Sequence, residues 1–136
     1  MTSKKIKSSV ESVQAALTKL NEALEHLKAE KEKTAKGILE DGAVKRFETL
    51  FEYSWKALKV AVEFEGGEAP GPRPAIQEAI KFGWIKDVDI WMSALDTRNA
   101  TVHDYFFAAP KNYIEVIRKF ATEVDSLLQK LSLLGH

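Results

Sequence analysis

Arg98, Asn99, His103 and Tyr105 fall in one polar stretch, Asp96-Thr97-Arg98-Asn99-Ala100-Thr101-Val102-His103-Asp104-Tyr105, set between two strongly apolar segments. A guanidinium that cannot lose its proton, an amide that donates and accepts, an imidazole that titrates near neutrality and a phenol together suit phosphate chemistry. Cysteine is absent, which excludes disulfides, thiolate metal sites and cysteine nucleophiles.

The element that positions these groups can be read from their spacing. At about 100° per residue, Val88, Trp91, Leu95, Val102 and Phe106 fall within roughly 60° of one line. That predicts an amphipathic helix whose inward stripe they form, capped by Asp87, running toward Phe107 and stopping before Pro110. Arg98 lies on the same line, Tyr105 projects near it, and Asn99 and His103 form an i, i+4 pair on one flank. A guanidinium there is costly unless it is paired, or unless the stripe faces a wet cleft or a second subunit. Arg98 and His103 project about 140° apart on an unbroken helix. They meet around one ligand only if the helix bends or if two protomers pool their sites. On the preceding long helix, Lys45-Arg46 and Glu48, with Glu52 and Lys56 at i, i+4, read as ordinary surface pairs, the alternative being that Arg46 or Glu52 reaches toward Arg98 in support.

Length and composition bound the rest. The chain has 136 residues, 45% of them hydrophobic, which fits one domain over 1–136 with a real core. Lys+Arg and Asp+Glu balance at 20 each, so any anion site must be local and there is no global case for nucleic acid or an acidic membrane. No apolar run approaches the roughly 20 residues of a membrane span. Met1-Thr2-Ser3-Lys4-Lys5 does not lead into a signal-peptide core. The expectation is a soluble, cytoplasmic protein without a membrane partner.

Ile6, Val10, Val13, Leu17, Leu20, Leu24 and Leu27 step by fours and threes, predicting a long first helix that fades into the charged run 28–36. His26 sits beside that stripe as a partly exposed helical histidine. Asp41 is placed to cap a second helix with Val44, Phe47, Phe51, Ser54, Leu58 and Ala61 inward, widened by Leu50, Trp55 and Val62. Glycine and proline at 65–74 break the pattern. Pro74 suits the first position of a short helix over 75–82, closed near Gly83. Asp87-Val88-Asp89 has the spacing of a metal-binding aspartate pair, but without a preceding Gly-Ser it reads as a cap plus a charge that complements the helix dipole. A last helix follows Pro110, with Ile117, Phe120, Val124, Leu127, Leu131 and Leu134 inward. With no period-two segment, the fold class is all-α, an up-and-down four-helix bundle with one extra short helix.

From residue 40 onward the sequence resembles the HEPN superfamily, in the branch called nucleotidyltransferase substrate-binding proteins. The resemblance rests on Asp41 with Lys45-Arg46-Phe47-Glu48, then Phe51-Glu52-Tyr53-Ser54-Trp55-Lys56 and Leu58-Lys59. It continues through Pro72-Arg73, residues 79–85, Trp91, and Arg98-Asn99 to His103-Asp104-Tyr105. The signature is arginine, four to six residues, then histidine, which Arg98 and His103 fit. Lys45 and Tyr53 depart from the glutamine and leucine more usual at those places.

The resemblance implies a homodimer in which two Arg/His sets share a cleft, with a minimal nucleotidyltransferase encoded nearby as partner. It implies a metal-independent ribonuclease, often a toxin of a toxin-antitoxin pair, with Arg98, Asn99 and His103 catalytic and no cofactor. Tyr105 would be the tyrosine to which the partner adds AMP. The alternative is a non-catalytic subunit that binds a nucleotide or substrate for the transferase. A third reading makes Arg98 and His103 structural groups of a plain helical interaction protein.

Overall fold

In this computed structural model the backbone is described for residues 2–103 and 113–134, and side chains for 4–102 and 113–134. Five helices are described: α1 (Thr2–Ala29), α2 (Lys33–Phe64), α3 (Pro72–Lys81), α4 (Val88–His103) and α5 (Tyr113–Leu131). The described residues contain no strand. α1 packs along α2 and α5, α4 packs against α5 and α2, and the short α3 bridges α2 and α4. The architecture is an all-α bundle of four long helices with one short addition.

The stripes of α1 and α5 are buried as their spacing predicts, from Ile6 through Leu27 and from Ile117 through Leu131, except that Val10 is half-buried. His26 is exposed. At the centre, the Phe120 ring of α5 meets Phe47 edge-on at 5.6 Å, Phe51 at 5.6 Å and Trp91 edge-on at 4.9 Å. This aromatic node joins α2, α4 and α5. All four rings are fully buried.

Three boundaries differ from the sequence expectation. α2 does not start at Asp41: it starts at Lys33, capped by Glu32, whose carboxylate accepts the Ala35 N–H. The backbone N–H groups of Ala35, then Thr34, hold the Glu32 carboxyl below its ordinary range. Gly37 and Gly42 are therefore helical. α3 begins with Pro72 rather than Pro74, because the first helical positions need no intrahelical N–H and tolerate both prolines. In α4, Val88 and Val102 are exposed by 39% and 37%, whereas Trp91, Ala94 and Leu95 are buried. The inward line of α4 is thus confined to the turns that meet the aromatic node.

The ends of α3 and α4 are fixed by local chemistry. Gly83, at φ +76, allows the Trp84 N–H to reach the Ala79 carbonyl at 3.0 Å, closing α3. Asp87 caps α4 as expected, its Oδ1 accepting the Ile90 N–H at 3.2 Å. The Asp87 N–H donates in turn to Glu123 of α5 at 2.9 Å.

A Cβ added at Gly42 would meet nothing within 4 Å. Replacing a helical glycine by alanine restricts the unfolded chain and favours the helix by roughly 0.5–1 kcal/mol. Gly42→Ala is expected to raise the unfolding free energy by that amount in a urea titration. An unchanged or lower midpoint would mean that α2 is not continuous through this residue.

Candidate functional site

Arg98 is brought to its place by the aromatic node. Phe51 and Trp91 pack on opposite helices against Phe120, and the next residue of α2, Glu52, then faces Arg98 two turns up α4. The Arg98 Nη2 donates to Glu52 Oε1, an ion pair between residues 46 positions apart in sequence. The guanidinium carbon sits 5.9 Å from the centroid of the Phe51 ring, within cation–π range. Nη1 donates to Asn99 Oδ1 at 3.1 Å. The cost of placing a cation on the inward stripe is thus met by a carboxylate, an amide and an aromatic ring.

Glu52 is itself shared. Its Oε2 accepts the Trp55 indole N–H at 3.2 Å and lies 3.8 Å from Lys56 Nζ. One negative charge therefore holds two cations and an indole, leaving the cluster with a positive balance. The Arg98 and Glu52 side chains keep 26% and 35% of their exposure, so the guanidinium is oriented but still open to solvent. Such a fixed, partly exposed guanidinium can take a phosphate oxygen.

Of the supporting residues, the structure brings Glu52 to Arg98 and not Arg46. Arg46 turns to α1, where Nη1 donates to the Lys19 carbonyl at 2.7 Å and lies 3.8 Å from Glu22. Asn99 adjoins Arg98 as an acceptor for it. His103 is the last residue described in α4; its side chain, with all of Asp104, Tyr105, Phe106, Phe107 and Pro110, lies outside the described residues. Phe51, Trp55 and Lys56 belong to the cluster although they were not foreseen as site residues. Their sequence trace is that Phe51 adjoins Glu52 while Trp55 and Lys56 stand three and four residues after it, within the run 51–56 that carries the family resemblance. The described residues contain no group of three His, Asp or Glu side chains able to hold a metal, and no helix among them is long and apolar enough to cross a membrane.

The family model described as nucleotidyltransferase substrate binding protein like matches residues 8–133. A curated relative, the probable ribonuclease HepT of Haemophilus influenzae, is 32% identical over 95 residues, which is 66% of this chain and 65% of that protein. The matched part thus spans just under two thirds of the relative's length. A solved structure from Haemophilus influenzae, described as the fold of a substrate binding domain of a nucleotidyltransferase, shares the fold. Its TM-score is 0.75 at 24% identity, over 90% of this chain and 98% of that one. A crystal structure from Thermus thermophilus gives a TM-score of 0.72 at 28% identity, over 88% of this chain and 98% of that one. With the family pattern running through nearly the whole bundle, from α1 to the end of α5, this chain belongs to the nucleotidyltransferase substrate-binding-like family of HEPN proteins.

Proposed function

We propose that this protein is the helical subunit of a two-protein nucleotidyltransferase system, in which the Arg98 cluster binds a phosphate of the substrate and the partner supplies the transfer chemistry. The observation that carries the reading is the Arg98 guanidinium. It is fixed by Glu52 and Asn99 above Phe51, yet it is still partly exposed. The description of the matching family, and that of the Haemophilus structure, support a substrate-binding role. The partner is a minimal nucleotidyltransferase encoded nearby.

A second reading makes the same site a metal-independent ribonuclease. Two observations favour it: the Arg98-x4-His103 spacing, and the relative named a probable ribonuclease. Here His103 takes the proton of a ribose 2′-hydroxyl while its oxygen bonds to phosphorus and the bond to the 5′-oxygen breaks. A second His103, from the other protomer of a homodimer, returns a proton to that 5′-oxygen. Arg98 holds the phosphorane-like charge, and Asn99 orients the guanidinium. AMP on Tyr105 would place an anion beside Arg98 and compete for it, which makes the nucleotidylation a silencing step of a toxin-antitoxin pair.

Three measurements test these readings. Incubated with single-stranded RNA in a metal chelator, a ribonuclease is expected to lose roughly 10²–10⁴-fold in rate on His103→Ala with its thermal unfolding unchanged. Absence of cleavage by the wild type, with nucleotide binding retained, selects the substrate-binding role. Co-expression with the neighbouring transferase is expected to add whole AMP units to the intact mass, all lost in Tyr105→Phe; an unmodified wild type rules out Tyr105 as a target. Glu52 acts here as a positioning residue. A double-mutant cycle of Glu52→Ala with Arg98→Ala is expected to give a coupling of about 1 kcal/mol in urea unfolding. A coupling near zero would remove the ion pair from the account.

A further inference from the structure

Between α1 and α2 lies a groove of about 230 Å³ lined by Ala16, Lys19, Lys45, Arg46 and Thr49. Cations from two helices line it, and no lining residue is a carboxylate. Arg46 is held in place there: its Nη1 donates to the Lys19 carbonyl at 2.7 Å and lies 3.8 Å from Glu22. A guanidinium carries its N–H donors in a fork, so one held in this way keeps others for an acceptor that enters the groove. Lys19, Lys45 and Thr49 are exposed, whereas Ala16 is buried and gives the groove a small apolar floor.

Size and charge limit what this groove can take. Small-molecule pockets run to roughly 300–1,000 Å³, so it is small for a nucleotide but large enough for a side chain or two. Lys+Arg and Asp+Glu balance at 20 each, so no general field gathers a polyanion, and Glu22 adds a carboxylate beside Arg46. Discrete carboxylates of a protein fit both limits. At about 100° per residue, Tyr53 projects within about 20° of Arg46, about 10 Å further along α2. It exposes 45% of its surface. Arginine and tyrosine are over-represented at the centres of protein–protein interfaces, and an arginine already fixed loses less freedom on binding.

We propose that the Lys19–Lys45–Arg46 groove is a docking site for an acidic segment of the partner transferase, with an Asp or Glu carboxylate entering between the lysines to pair with Arg46 and the segment continuing across Tyr53. The inference rests on the two-protein reading and adds the surface through which the proteins meet. Arg46 and Glu52 project about 120° apart on α2, the first bonded to α1 and the second to α4. A segment docked in the groove therefore leaves the Arg98 cluster open.

The test begins with zero-length cross-linking of this chain and the neighbouring transferase by a carbodiimide, which joins an ammonium to a carboxylate without a spacer, followed by peptide mass mapping. Links from Lys19 or Lys45 to Asp or Glu of the transferase are expected. The second measurement is the affinity of the complex after Lys19→Glu combined with Lys45→Glu, which changes only exposed side chains. The double reversal is expected to weaken the complex at least about tenfold at low salt, with slower association and an unchanged thermal midpoint, the deficit shrinking as salt is added. An undiminished affinity, or cross-links that leave out both lysines, overturns the groove while the two-protein reading stands. Links from these lysines to a second copy of this chain overturn it as well, by assigning the groove to self-association. If the wild-type proteins form no complex, the two-protein reading itself fails and the docking site falls with it.

Discussion

The contact of Phe120 with Phe47, Phe51 and Trp91 is the constraint on which the site depends. Fully buried rings bring the largest apolar areas a side chain can offer, and edge-on packing fixes their relative angles as well as their burial. Because Phe51 is locked on one side of α2 and Trp91 on the facing side of α4, the rotation of both helices is set. Glu52 follows Phe51 by one residue and Arg98 follows Trp91 by two turns, so their meeting is a consequence of core packing rather than of attraction between charges. The ion pair then adds direction. It turns a flexible guanidinium into one whose open edge points to solvent.

Charge sharing determines what that edge can do. Had Glu52 served Arg98 alone, the pair would be neutral and a poor host for an anion. Oε2 is instead engaged by Trp55 and Lys56, so the carboxylate's charge is divided and the cluster keeps a positive excess. Asn99 occupies the other guanidinium nitrogen with a neutral acceptor, which orients without cancelling charge. A phosphate could displace Asn99 at little electrostatic cost, while Glu52 goes on holding the cation.

Local periodicity made much of the bundle legible. The stripes of α1 and α5 are strict steps of three and four, and Asp87 caps α4 as a short acidic side chain should. What failed was information that is not local or not typical. Glu32 is a less usual cap than Asp41, and the charged run 28–36 reads as the fading end of α1, so the first turns of α2 were hidden. Val88 and Val102 share the stripe by angle, yet among the described residues it is Trp91, Ala94 and Leu95 that are buried. At the site, the sequence offered Arg98 together with the need for a partner. Choosing between Arg46 and Glu52 required the rotation of α2, which the aromatic node sets and no spacing within α2 records.

The neutral composition is compatible with anion binding once distances are considered. Charges are screened over about 8–10 Å at ordinary ionic strength. Among the described ion pairs, the charges nearest Arg98 are the carboxylate of Glu52, in contact with it, and the ammonium of Lys56 beyond that carboxylate. A chain of this kind has a weak long-range field, so any anion it takes is held by the charges nearest to it rather than by the total.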